Sequence, residues 1–262
     1  MNAKKIVFFD IDHTIYDPIR KTIPKATQEA FEKLSQKDDV VIAIATGRAF
    51  YMLDIIDSLK PYIEVYITIN GQVIVHKNKV IYEKPLDKAT INTVKNVFHK
   101  HQLVYGCIGI EHQAINRIDE DAVRMFEEAS MPLPIEDARF DQHAKVYQMW
   151  AFADSLTFER VQQDLRDYQL VSWLSDGFDV VLADQSKKDG IKRVLKHLDI
   201  PLEQAYAFGD GENDIEMLEY IPHSFAMGNA KDHIKHRATH TTERYDEGGI
   251  YNALIKMKLI DE

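Results

Sequence analysis

The chain has 262 residues, with 32 Lys and Arg against 42 Asp and Glu, a formal charge of −10. Its 45% apolar content excludes a disordered chain, and the acidic balance excludes both a nucleic-acid coat and a polybasic membrane anchor. If the ligand is an anion, local groups must overcome this general repulsion.

The N-terminal apolar run, Ile6 to Phe9, is too short for a secretory signal core, and no run approaches the roughly 20 residues of a membrane span. The single cysteine, Cys107, cannot form an internal disulfide and reads as a small core hydrophobe. A soluble, cytoplasmic chain is expected. Ile6–Phe9 reads as a parallel strand buried on both faces and ending in acidic residues. A helix is expected over 24–35, a strand over 40–45, a helix over 49–59, a strand over 66–70 and a hairpin over 72–83 around Lys77-Asn78-Lys79.

The rhythm changes at Lys84-Pro85. A helix over 87–101, strands over 104–110 and 113–118, a helix over 119–129, a loop over 135–144, a strand over 145–152, a helix over 155–168 and strands over 169–174 and 178–183 read as α+β. Strand–helix alternation then returns: helix 189–198, strand 205–208, helix 213–220, strand 224–227, helix 230–238, a polar segment 241–248 and a closing helix 249–258. The pattern predicts an α/β fold, a Rossmann-like parallel-sheet core built from residues 1–84 and 185–262, with an α+β domain inserted over 85–184.

Open parallel sheets place their sites beyond the carboxyl ends of the strands. Those ends carry Asp10, Asp12 and Thr14; Thr46, Gly47 and Arg48; and Gly209, Asp210, Gly211, Asn213 and Asp214, while Lys187 and Lys188 precede the helix at 189. Each group alone fits a turn or a solvated surface. Together they suit phosphoryl transfer. Asp10 can attack phosphorus to give an acyl phosphate, and Asp12 can serve as general acid and base. Asp10 and Asp210 offer hard oxygens to Mg²⁺, and Asp214 can hold a metal-bound water. The cation, Lys187 and the Thr46 hydroxyl would balance the phosphoryl charge.

Asp10-Ile-Asp12-His-Thr14, Thr46-Gly47, Lys187 and Gly209-Asp210-Gly-Glu-Asn213-Asp214 resemble the four signature motifs of the haloacid dehalogenase superfamily of phosphohydrolases. With Met227-Gly-Asn-Ala230 and Asp246-Glu-Gly-Gly-Ile250, the likeness extends along the chain to the Cof-type branch with a class IIB cap. The resemblance implies Asp10 as nucleophile and Asp12 as acid/base. It further implies that the Asp12 carbonyl joins Asp10 and Asp210 on Mg²⁺. Phosphate would be held by Ile11 N–H, Thr46, Gly47, Lys187 and Asn213, with Thr14 supporting the turn. His13 stands where many relatives carry Gly. Lys187 is preferred to Lys188 because Lys-x-x-Gly190 matches the family spacing.

Only about ten residues separate the first motif from the first helix, too few for a cap, so residues 85–184 are the expected cap, hinged at Lys84-Pro85 and Asp184-Gln185-Ser186. Specificity candidates there are Tyr105, His112, Arg117, Lys145, Trp173 and Asp176, each more readily explained by packing or solvation. Arg48 could give electrostatic help or form an ion pair. His233, His236 and His240 lack a completed metal spacing. The expected activity is Mg²⁺-dependent hydrolysis of a small soluble phosphate ester, sugar phosphates among them, with no nucleic-acid or membrane partner. A phosphomutase and a catalytically silent phosphate sensor are the alternatives.

Overall fold

A computed structural model describes residues 4–128, 132–172, 176–182 and 186–261. By its internal contacts the chain divides into two compact units, residues 1–83 with 185–262 and residues 84–184. In chain order the first unit opens with β1 (Lys5–Phe9), α1 (Lys25–Ser35), β2 (Val40–Ala45), β3 (Val65–Thr68), β4 (Val73–His76) and β5 (Lys79–Glu83). The second contains α2 (Lys88–Lys100), β6 (Tyr105–Ile108), β7 (Gln113–Ile115), α3 (Glu120–Glu128), β8 (Ile135–Glu136), α4 (Phe140–His143), β9 (Gln148–Phe152), α5 (Ser155–Asp164), β10 (Tyr168–Ser172) and β11 (Gly177–Leu182). The first unit resumes with α6 (Lys187–Leu198), β12 (Ala205–Gly209), α7 (Ile215–Tyr220), β13 (His223–Ala226), α8 (Asp232–Lys235), β14 (His240–Thr241) and α9 (Gly249–Lys256).

The first unit is an eight-stranded sheet in the order β14-β13-β12-β1-β2-β3-β4-β5. Its strands from β14 through β3 run parallel, and β4 and β5 add an antiparallel hairpin at one edge. The strands alternate between two buried faces, as uninterrupted apolar runs require. Ile6 and Phe8 join Ala43, Ile67, Ala207 and the α6 residues Ile191 and Val194 on one side. On the other, Phe9 packs on Phe31 of α1 and on Phe208, which stacks on Phe225, with centroids 4.7, 5.2 and 4.9 Å apart. Lys77 and Asn78 both take positive φ, which closes the β4–β5 turn.

The second unit has its own six-stranded sheet, β10-β11-β9-β6-β7-β8, antiparallel except for β7–β8. Its core is also its own, with Phe98 and Val94 of α2, Val161 of α5 and Phe178 of β11 all buried. Cys107 belongs to this core, and burial pushes its thiol up to about 12.

Several elements differ from the sequence-based expectation. Residues 50–56 form a 3₁₀ helix instead of part of an α-helix. The buried positions Leu53, Ile56 and Leu59 recur every three residues, the 3₁₀ period. The third strand stops at Thr68 because Ile69 and Asn70 turn to positive φ. The expected loop over 135–144 contains β8 and α4, anchored by buried Phe140. The helix expected over 230–238 is the single turn α8, in which only Ile234 is buried. Trp173, Asp184 and Gln185 lie outside the described residues.

Candidate active site

The site begins where the core strands of the first unit end. Asp10 follows β1, its N–H still donating to Phe208 O at 3.0 Å, and its side chain is buried. Asp210 follows β12. Asp214 lies one turn further, fully buried, where its Oδ2 accepts from the N–H groups of Asp210 and Gly211, both at 2.9 Å. That side chain winds the loop into a 3₁₀ turn over 212–214 and delays α7 to Ile215. Asp10, Asp210 and Asp214 bring carboxylate oxygens within 4.8 Å of one another.

Lys187 joins them from the first turn of α6. Its Nζ donates to Asp10 Oδ1 at 2.6 Å and to Asp214 Oδ1 at 2.7 Å, and the residue is 1% exposed. Burial disfavours its charge, but the two carboxylates outweigh burial and hold the ammonium form. Lys188 points elsewhere, to Glu216. Burial, then the neighbouring Asp214 charge, raises the Asp10 carboxyl well above its ordinary value, against the pull of Lys187. The same two causes push Asp210 up to about 7. Crowded carboxylates with one ammonium among them make a hard-oxygen site short of positive charge, a donor set that fits Mg²⁺. Asp10 and Asp210 are the direct candidates, since Asp214 is fully buried and already accepts from Lys187 and from two backbone N–H groups.

Asp12 stands apart from this cluster. Arg48 grips it with a bidentate fork, Nε to Oδ2 and an Nη to Oδ1, both at 2.8 Å. Ile11 is buried, and its carbonyl accepts from Thr14, Ile15 and Tyr16, winding the chain after β1 into a tight turn. His13 has φ of 58° in that turn, the left-handed region that favours glycine. Thr46 is buried and its Oγ1 accepts from Arg48 N at 3.1 Å. A β-carbon on Gly47 would lie 3.3 Å from Asn70 Oδ1 and 3.5 Å from Asn213 Nδ2, and those amides bond each other at 3.2 Å.

Sequence reasoning passed over Asn70 and Asn229, and it gave Thr14 only a supporting role. Thr14 Oγ1 donates to Asp210 Oδ1 at 3.2 Å, and Asn229 Nδ2 to Asp210 Oδ2 at 3.1 Å. Asn70 was visible as an Asn-Gly turn at a strand end, and Asn229 within Met227-Gly-Asn-Ala230. Three of the specificity candidates are tied up within their own unit. Tyr105 is buried with its hydroxyl against His99, His112 packs on Phe140, and Arg117 bonds Asp119 and the carbonyls of Gln102 and Leu103. Lys145 is exposed and Asp176 is half-buried. His233 pairs with Glu212, and the only three-ligand group among the described residues is the Asp cluster.

A parallel α/β sheet carrying buried carboxylates and a lysine at its carboxyl edge defines a phosphoryl-transfer class of site. The family model of haloacid dehalogenase-like hydrolases matches residues 7–254, and the chain belongs to that family. YkrA of Bacillus subtilis (strain 168), which carries a provisional phosphatase name, is 32% identical over 98% of each chain. A crystal structure of a protein from Geobacillus kaustophilus HTA426 aligns with TM-score 0.89 and 32% identity, covering 98% of this chain and 100% of that one. The subclass IIB sugar phosphatase BT4131 aligns with TM-score 0.88 and 27% identity over 98% and 100%. The protein is a haloacid dehalogenase superfamily phosphatase with a core sheet and a second, class IIB-type sheet unit.

Proposed function

We propose that this phosphatase is a Mg²⁺-dependent phosphomonoester hydrolase of small phosphorylated metabolites, sugar phosphates foremost, working through an aspartyl-phosphate on Asp10. The observation that carries the reading is the meeting of Asp10, Lys187, Asp210 and Asp214 in one buried cluster. The preference for sugar phosphates draws support from the likeness to BT4131.

A carboxylate oxygen of Asp10 attacks phosphorus while the bond to the leaving oxygen breaks, and Asp12 gives that oxygen its proton. Asp12, now a carboxylate, takes a proton from water as the water attacks the phosphoryl group, and the bond to Asp10 breaks to release phosphate. Asp10, Asp210 and the Asp12 carbonyl would hold the metal, with Asp214 ordering the Asp210 loop. Bound Mg²⁺ supplies positive charge to the phosphoryl oxygens as a Lewis acid. Lys187, Thr46, Asn213 and the backbone at Ile11 and Gly47 orient the phosphate. Residues 84–184 are proposed to select among esters.

Release of phosphate from p-nitrophenyl phosphate should require Mg²⁺ and stop with a chelator. Asp10→Asn should lower kcat by at least about 10³-fold, and wild-type activity in that variant would overturn the nucleophile assignment. Assaying a hexose phosphate for free phosphate against an isomerised product separates hydrolysis from mutase chemistry.

A further inference from the structure

The Asp210 carboxylate is held at both ends by neutral donors from two other loops. Thr14 Oγ1 reaches Oδ1 at 3.2 Å, and Asn229 Nδ2 reaches Oδ2 at 3.1 Å. The same Asn229 nitrogen donates to His13 O at 3.0 Å, while Asn229 Oδ1 accepts from Tyr245 N at 3.3 Å. Chemistry settles the amide's orientation, because His13 O and Asp210 Oδ2 are both acceptors and only the NH₂ end can serve them. The far end is anchored in turn. Gly228 N donates to Glu243 O at 3.1 Å and Gly249 N to Arg244 O at 3.2 Å, which fixes the segment carrying Tyr245. One half-buried amide thus spans the loops that follow three adjacent strands, β13, β12 and β1.

We propose that Asn229 is a positioning residue of the metal site: it fixes the Asp210 carboxylate against the turn after Asp12, and so sets Mg²⁺ affinity and the preference for Mg²⁺ over Ca²⁺. The proposal rests on the metal reading above. Asn229 orients Asp210 without bringing it a positive charge, unlike Lys187 on Asp10, so no fixed cation competes at that carboxylate with the metal. Mg²⁺ demands near-ideal octahedral geometry at about 2.0–2.1 Å, whereas Ca²⁺ accepts about 6–8 oxygens at about 2.3–2.6 Å in flexible arrangements. A carboxylate freed to rotate therefore loses Mg²⁺ more than Ca²⁺.

The test is calorimetric titration of the full, substrate-free chain with Mg²⁺ and separately with Ca²⁺, for wild type, Asn229→Ala and Asp210→Asn. Asn229→Ala should weaken Mg²⁺ binding by about 10–100-fold, the range for removing a partner of a metal ligand, and Ca²⁺ binding by severalfold less. Wild-type Mg²⁺ affinity in Asn229→Ala, with binding lost in Asp210→Asn, would overturn the inference and leave the metal reading standing. Equal weakening of both cations, as a general loosening of the fold would give, also overturns it. If the wild type takes up no Mg²⁺, or Asp210→Asn binds as the wild type does, the metal reading itself fails. Should the alanine variant not fold, Asn229→Ser is judged by the same ratio, because its short hydroxyl cannot reach both oxygens.

Discussion

At Asp12 a carboxylate proposed to move protons is gripped by a guanidinium. The Arg48 fork fixes both oxygens of Asp12 from 36 residues away. Arg48→Ala should lower kcat/KM by about 10–100-fold through misplacement of Asp12, and Arg48→Lys should recover only part, since one ammonium cannot form the fork. Steady-state kinetics on one ester decides this. Asp210 carries a pH signature. Its carboxyl, pushed up to about 7 by burial and Asp214, sits above its ordinary value, so its proton stabilises the metal-free fold. That contribution is full below about pH 4 and is lost as pH rises through about 7. Mg²⁺ competes with the same proton. The rise in melting temperature on adding Mg²⁺ should therefore be larger at about pH 8 than at about pH 5.5, and it should vanish in Asp210→Asn. The motif residues were legible because they stand at the ends of apolar runs. The partners of Arg48 and Asn229 were not, because hydrogen bonds spanning 36 and 216 residues depend on strand order, which no local pattern encodes.

Among elements, α6 shows why spacing matters. Lys187 reaches the carboxylates because the helix lies tight against the turn after β3, and Gly190 and Gly71 make that approach possible. A β-carbon on Gly190 would fall 2.5 Å from Ile67 Cγ2 and 3.2 Å from Gly71 Cα, and one on Gly71, at φ of 93°, 2.4 Å from Ser186 O. The Lys-x-x-Gly spacing is therefore a packing requirement. Gly190→Ala should destabilise the protein by about 1–2 kcal/mol despite alanine's better helix propensity, because overpacking outweighs the gain. The same substitution should lower kcat by shifting Lys187; chemical denaturation and kinetics on one sample test both. In α2, Asp87 Oδ1 accepts from Thr90 N at 2.7 Å, and Asp87→Ala should cost about 1 kcal/mol in the same unfolding assay, with metal affinity unchanged. Continuous apolar runs made the parallel strands readable, whereas the 3₁₀ segment at 50–56 and the single turn α8 were not. Apolar residues every third position look helical, and only packing shows which helix they form.

At the scale of the molecule, two units with separate apolar cores share one chain, and the one formed by residues 1–83 and 185–262 holds all the proposed catalytic groups. The change of rhythm near residues 84 and 185 was legible as a switch between α/β and α+β patterning. Which residues of 84–184 choose a substrate was not, since Tyr105, His112 and Arg117 are engaged in their own unit's packing and hydrogen bonds. The −10 charge is compatible with an anionic substrate because Asp10, Asp210 and Asp214 gather around Lys187 and offer oxygens to a cation. The central claim is that the phosphoryl group passes through Asp10. Acid quenching during turnover of a radiolabelled phosphate ester, followed by peptide mapping, should find label bound covalently to the peptide containing Asp10, and none in Asp10→Asn. An enzyme that turns over the ester with no label retained, or with label on another residue, would contradict it.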